Sequence, residues 1–319
     1  MKLKLRHNTQ MRLTTGAVLL LAIPGLLLLA TWPLVGMRWA WVLPAMWIAL
    51  MVYGFFFGWR HLVVRTATCP SALLPRAFDG YRVVQLSDIH IGTFLRNRSF
   101  VDRLVQTVNA QKPDMVVFTG DLVNVGPREL LPFRHVLSRI TAPDGVFAVL
   151  GNHDYCEYGD DKRPAAIRRH QMLLRYVEQK MGWHLLMNEH ATIRRGDASI
   201  EVVGVENISR PPFPEYGDLQ KALAGTADGS FKILLSHDPS HWRRGVLHQT
   251  DIALTLSGHT HAGQISLGRL SPVKWAYNEW GGKYTEDGSM LYVSVGIGGT
   301  VPFRFGAWPG IDVITLRRA

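Results

Sequence analysis

The sequence predicts an α/β domain behind a membrane-inserted helical hairpin, and three observations carry that prediction. Two uncharged apolar runs fill most of the first 60 of 319 residues. Short apolar runs then alternate with amphipathic stretches down the chain, and polar residues of metal-binding type follow five of those runs in order. The composition agrees: 47% hydrophobic and 19% charged residues supply a core and exclude disorder as the main state. Half of the net charge of +10 lies on residues 1–58, where Lys2, Lys4, Arg6, Arg12 and Arg38 meet no acid; the rest of the chain holds 30 basic and 25 acidic residues. With no zinc-finger or basic-helix signature beside that balance, nucleic acid is not expected as a partner, and no protein partner can be inferred. Cys69 and Cys156 are too few for a disulfide framework or a four-thiolate zinc site.

Arg12 and Arg38 bracket 25 uncharged residues, and Arg38 and Arg60 bracket 21, while a helix crosses hydrocarbon with about 20. Pro24, Gly25, Pro33 and Pro44 would weaken a helix in water but are tolerated in a bilayer where neighbouring segments satisfy the backbone. Trp32, Trp39, Trp41 and Trp59 lie near the run ends, where amphipathic rings favour the interface. Basic residues precede the first run, and Arg60, Arg65 and Arg76 follow the second. The positive-inside rule therefore places both ends, and everything after residue 60, in the cytoplasm, as in an inner-membrane protein. A signal peptide ending near Ala30, or a single span that exports the domain, is the competing arrangement. Residues 1–60 are expected as the anchor, 61–79 as a linker and 80–319 as the α/β domain.

Within that domain, 81–86, 114–119, 146–150, 200–205, 231–236, 252–257, 290–295 and 311–316 are short and rich in β-branched and aromatic residues, the pattern of buried strands. Val101, Leu104, Val105 and Val108 recur at helical spacing after a cap at Asn97 or Ser99, completing a βαβ unit. These elements predict α/β layers around one large mixed sheet, or two sheets face to face.

The strand ends carry the chemistry. In order they run into Ser87-Asp88-Ile89-His90, Gly120-Asp121, Gly151-Asn152-His153-Asp154, His237-Asp238 and Gly258-His259-Thr260-His261. Ligands of open α/β sheets gather at the carboxyl ends of strands, so these residues should converge. Two divalent ions need a bridging carboxylate and N and O ligands around each. Asp88, His90, Asp121, Asn152, His237, His259 and His261 offer such a set without a thiolate. Imidazole and carboxylate ligation suits Mn, Fe, Zn or Ni better than Mg or Ca. A lone Asp-x-His is common by chance; five motifs in order, each behind a strand, are not.

This ordered set resembles the calcineurin-like metallophosphoesterase family over residues 80–319. The resemblance implies a four-layer αββα sandwich and two divalent metal ions, Mn first among them. It implies that Asp88, His90, Asp121 and His261 hold one ion, that Asp121, Asn152, His237 and His259 hold the other, and that His153 faces the phosphate. Asn124 departs from the acidic residue or glycine of many members, at a position that is not usually a ligand. The GHTHAGQ stretch from Gly258 to Gln264 and the hydrophobic N-terminus are similar to a membrane-anchored branch, some of whose members and relatives cleave UDP-2,3-diacylglucosamine in lipid A synthesis. The implied reaction is hydrolysis of a phosphodiester or pyrophosphate by metal-activated water, with His153 serving the leaving oxygen and Asp154 available to orient its ring.

Two segments are candidates for substrate choice. Residues 161–180 present Arg168, Arg169 and Arg175 on a helix, either to a phosphate or simply to solvent. Trp275 and Tyr277, in the aromatic stretch 275–284, either line a pocket or pack as core. A bilayer anchor favours a lipid-linked phosphate as substrate. A broad-specificity phosphodiesterase and a non-catalytic metal-binding scaffold are the alternatives.

Overall fold

The computed structural model describes residues 21–159, 161–268 and 270–319. Lys2, Lys4, Arg6 and Arg12, with the start of the first apolar run, lie outside the described residues. The two runs form helices α1 (Ile23–Ala40) and α2 (Val42–Phe56). Pro24 sits in the first turn of α1, where its missing N–H leaves no helical bond unmade. Gly36 interrupts α1 with a φ of 74°, a left-handed value that suits a residue without Cβ. Ile23–Ala40, and Val42–Arg60 when the turn that extends α2 is included, are long and apolar enough to cross a membrane. Leu26, Leu29, Leu34, Trp39, Met46 and Phe56 are exposed along them, an apolar surface that water does not favour.

The end of α2 is built into the domain that follows. Tyr53 meets the rings of Phe305 and Trp308 edge-on, with centroids 6.2 and 5.8 Å away. Phe55 packs on Phe303 at 4.9 Å, and the Gly54 carbonyl accepts from the Arg304 N–H at 3.3 Å. A Cβ on Gly58 would collide with the Arg304 carbonyl, so the chain passes there only as glycine. Trp59 then enters the main core beside Phe94 and Phe100.

Residues 61–79, expected as a linker, instead carry β1 (Val63–Ser71), which pairs in parallel with the last strand, β12 (Gly310–Arg318), from Val63↔Gly310 to Ser71↔Arg318. The first sheet has the order β1-β12-β2-β3-β4-β5, with β2 (Arg82–Leu86), β3 (Met115–Phe118), β4 (Val146–Ala148) and β5 (Trp183–Leu185) mutually parallel. The second has the order β10-β11-β9-β8-β7-β6, from β6 (Glu189–Arg195), β7 (Ala198–Gly204), β8 (Lys232–Leu235), β9 (Leu254–Ser257), β10 (Gly282–Glu286) and β11 (Ser289–Val293). All eight strand runs read from the sequence are strands.

Val83, Val117 and Phe147 of the first sheet share one buried cluster with Ile233, Leu235 and Leu254 of the second, so the sheets pack on each other. The other side of the first sheet is covered by α3 (Arg98–Ala110), through Val101, Leu104, Val105 and Val108, by the short α4 (Arg134–Leu137) and by α5 (Pro164–Lys180), through Leu174 and Val177. The second sheet packs on α6 (Leu219–Leu223) and on the turn around Trp242. Asn97 precedes α3 as expected; its carboxamide accepts from Ser99 Oγ at 3.1 Å and makes no cap bond to the helix backbone. The carboxyl ends of β2, β3, β4, β8 and β9 therefore open on one edge of the paired sheets.

Candidate metal centre

Each loop leaving those strands turns sharply. Asp88, His90, Asp121, His259 and His261 all have positive φ, between 45° and 71°. Non-glycine residues seldom adopt this conformation, and strained backbone of this kind is concentrated at functional sites. It aims both members of Asp-x-His and of His-x-His inward. Close approach of the loops depends on Gly151 and Gly258, where a Cβ would strike the Asp121 carboxylate and the Ser87 and Asp88 side chains respectively.

The convergence has Asp121 at its middle. Its Oδ2 lies 3.5 Å from His90 Nε2 and 3.3 Å from His237 Nε2, while its Oδ1 accepts the His153 N–H at 2.9 Å. On one side, ligand atoms of Asp88, His90, Asp121 and His261 lie within 4.8 Å of one another; on the other, those of Asp121, His237 and His259 do. Asp121 is common to both groups. Asn152 is buried nearby, and its Oδ1 lacks a hydrogen-bond partner among the described residues, as do both ring nitrogens of His90. Buried polar atoms are normally paired, so these orphans fit a site built for cations. The donor set of imidazoles, carboxylates and one carboxamide oxygen, without thiolate, fits two divalent metal ions.

Outer partners fix the imidazoles. His237 Nδ1 donates to the Thr119 carbonyl at 2.7 Å, leaving Nε2 for a metal. His259 Nδ1 lies 3.2 Å from His237 Nε2, and its Nε2 meets the Tyr277 hydroxyl at 2.9 Å. Arg304, fully buried, places its guanidinium 3.3 Å from both the carbonyl and Nδ1 of His261. Burial pushes the Asp121 carboxyl up, but the His237 and His153 charges beside it prevail and hold it well below the usual carboxylate range. Burial would lower His237, yet the Asp121 charge raises it to about 10. His259 and His261 are lowered by burial first, and then by the charges of His237 and His90 respectively. The net effect is one strongly paired anion–imidazole contact, Asp121 with His237, beside two imidazoles, His259 and His261, shifted toward the neutral form in which imidazole binds metal.

Asp154 does not orient His153. Its carboxylate accepts the N–H groups of Asp121 at 2.7 Å, Leu122 at 2.8 Å, Gly151 at 3.0 Å and Val123 at 3.1 Å. It thereby clamps the loop after β3 to the loop after β4. Burial and the Asp121 charge push it up to about 7, against the pull of those N–H groups. The partner of His153 is the Asn124 carbonyl, 2.7 Å from Nδ1. Neighbouring side chains in the tight turn Asn152–Tyr155 diverge, which adjacency in sequence does not reveal.

A cavity of about 550 Å³ opens over the centre, bordered by His153, Arg210, Phe213, Val273, Tyr277 and Thr300 among others. Tyr277, one of the expected substrate contacts, lines it. Arg168 and Arg169 do not; both are exposed on α5. Trp275 does not either, being 84% exposed on the outer side of its turn. Sequence reasoning missed Arg210 and Phe213, whose ring stands edge-on to His259 at 4.8 Å. They follow the carboxyl end of β7, and the strand-end rule that found the other loops would have reached them.

The chain is similar to several known proteins. The calcineurin-like phosphoesterase family matches residues 81–263. The chain is 33% identical over 270 residues to the uncharacterised metallophosphoesterase YkuE of Bacillus subtilis, covering 81% of this chain and 86% of that protein. It is 32% identical over 279 residues to a transmembrane protein with a metallophosphoesterase domain from Danio rerio, covering 85% of this chain and 61% of that longer protein. A dimetal phosphatase from Danio rerio aligns with a TM-score of 0.40 and 14% identity, over 72% of this chain and 94% of its own. Together with the two apolar helices, the transmembrane relative indicates membrane association. On the family match and the ligand set that fits it, this chain belongs to the calcineurin-like phosphoesterases and is a metal-dependent phosphoric ester hydrolase.

Proposed function

We propose that the protein is a membrane-anchored hydrolase of phosphodiester or pyrophosphate bonds in amphiphilic substrates. The observation that carries this reading is the seating of α2 on the Phe303–Trp308 segment, whose Arg304 touches the metal-centre residue His261. A soluble ester gains nothing from a site tied to an apolar hairpin, whereas a lipid-linked phosphate is confined to that surface. The sheets and their helical covers are read as the four layers of an αββα sandwich. Arg60, Arg65 and Arg76 behind the second helix support a cytoplasmic domain on the inner membrane.

Two divalent ions, with Mn favoured, would be held by Asp88, His90, Asp121 and His261 and by Asp121, Asn152, His237 and His259. When bound, they supply Lewis-acid activation of water and neutralise phosphate charge. The protein's own groups do the rest. Because Nδ1 of His153 is engaged by Asn124, its Nε2 is the nitrogen that delivers a proton to the leaving oxygen. Arg210 at the cavity wall pairs with a phosphate oxygen, and Phe213 and Tyr277 pack against the organic part.

UDP-2,3-diacylglucosamine belongs to this substrate class and is the first to try. Detergent-purified protein with Mn, offered that lipid nucleotide and bis(p-nitrophenyl) phosphate in parallel, should release UMP far faster than p-nitrophenol, and His153→Ala should slow both by about 10²–10³. Diester hydrolysis alone would refute the lipid nucleotide as substrate and point to a broad-specificity phosphodiesterase.

A further inference from the structure

The segment between the double-histidine turn and Tyr277 has an outer side that the metal chemistry does not use. Leu267 and Leu270 pair with each other across a hairpin, Leu267 N–H donating to the Leu270 carbonyl at 2.8 Å and Leu270 N–H to the Leu267 carbonyl at 3.0 Å. Both leucines are 63% exposed. Trp275 and Val301 are exposed too, Val301 on a stretch whose carbonyl accepts from Gln264 Nε2 at 3.1 Å. Each of these four large apolar side chains is exposed to a degree that water penalises.

Its position says what covers it. Ser266 N–H donates to the Phe305 carbonyl at 2.8 Å, Phe305 N–H donates to the Gln264 carbonyl at 3.0 Å, and Ile265 bridges Phe305 in parallel. Phe303, Phe305 and Trp308 are the residues on which α2 rests. The stretch leading into the hairpin and the apolar helix thus both rest on a single short segment, which sets the exposed leucines near the anchor in the fold. Val273 and Ala276, on the inner side of the same turn, line the cavity over the metal centre, as does Thr300 next to Val301. The apolar lip and the cavity wall are therefore two sides of one stretch of chain. Lys274 is exposed beside Trp275, and Arg60 is exposed at the end of the anchor; cations next to Trp and Leu suit the headgroup level of a bilayer.

We propose that Leu267, Leu270, Trp275 and Val301 insert into the same leaflet that receives α2, so that the cavity opens at the lipid–water interface and takes amphiphilic phosphoesters directly from it. The inference rests on the membrane-anchored reading above and adds the surface through which substrate arrives. The occupant is the bilayer itself.

Insertion is read by quenching in the full chain, reconstituted in phosphatidylcholine–phosphatidylglycerol vesicles that contain doxyl-labelled phosphatidylcholine. Cys69 and Cys156 are buried, so an environment-sensitive fluorophore reports from single added cysteines. Leu267→Cys and Leu270→Cys test the hairpin, Leu34→Cys tests the anchor, and Asp197→Cys, in the β6–β7 turn at the opposite sheet edge, is the water-exposed control. Quenching of both hairpin positions at least about twofold above the control supports insertion. Quenching at Leu34→Cys with hairpin positions no different from the control overturns this inference and leaves the anchor standing; no quenching at Leu34→Cys overturns both. For delivery, the Leu267→Glu/Leu270→Glu variant should show a KM about tenfold higher for an acyl-bearing p-nitrophenyl phosphodiester in vesicles, with unchanged kcat/KM for bis(p-nitrophenyl) phosphate. Equal behaviour of wild type and variant on the vesicle substrate would contradict it.

Discussion

A carboxylate that accepts four main-chain N–H groups is the fixed point of the site. Through Asp154 the turns after β3 and β4 become one unit, and that unit carries Asp121, Asn152 and His153. Replacing the charge by a carboxamide weakens several charge-assisted bonds and adds a donor facing donors. Asp154→Asn should therefore lose about 2–4 kcal/mol of stability and bind metal poorly. His153→Ala should keep both stability and metal but lose about 10²–10³ in kcat, because its imidazole does no structural clamping. Thermal unfolding and metal analysis of the two variants separate these roles; a wild-type Tm for Asp154→Asn would refute the clamp. The residue types at these positions were legible in the sequence because metal chemistry restricts them to Asp, Asn and His. Their directions were not: a positive φ at five positions decides where side chains point, and no spacing rule encodes it. Arg304 was illegible for another reason, since it reaches His261 from 43 residues downstream through a fold contact with the anchor.

At the scale of elements, the strands legible in the sequence were those flanked on both sides. β2, β3, β4, β7, β8, β9, β11 and β12 are interior to their sheets, and they read as continuous apolar runs. The four strands not foreseen, β1, β5, β6 and β10, are the four sheet edges. β1 alternates half-buried and exposed positions, and β6 and β10 are largely polar, as strands facing solvent must be. Helix α5 raises a different matter. It buries Glu178 completely, with neither carboxylate oxygen hydrogen-bonded among the described residues. Burial first, and the Asp154 charge second, push its pKa well above the usual 4.5. The folded chain then holds a proton that the unfolded chain releases, so stability falls as pH rises above the ordinary glutamate range. The slope is at most about 1.4 kcal/mol per pH unit. Glu178→Gln should flatten the decline in Tm between about pH 5 and 8, and a profile as steep as wild type would show that Glu178 ionises freely in the folded state.

Across the whole molecule, an apolar hairpin and a metal centre are joined by one short stretch of chain, Phe303 to Trp308. The two parts were visible separately in the sequence, as uncharged runs and as ordered motifs. Their junction was not, because aromatic residues near the C-terminus give no sign of packing on a helix about 250 residues earlier in the chain. The reaction class follows from Asp121, the side chain common to both ligand groups. The most direct test measures metal content and Mn-dependent hydrolysis of bis(p-nitrophenyl) phosphate for the wild type and Asp121→Ala in the same preparations. The wild type should carry about two divalent ions per chain and hydrolyse the diester, and the variant should lose ions and activity together. An Asp121→Ala protein that keeps its ions and turns over normally would contradict the account.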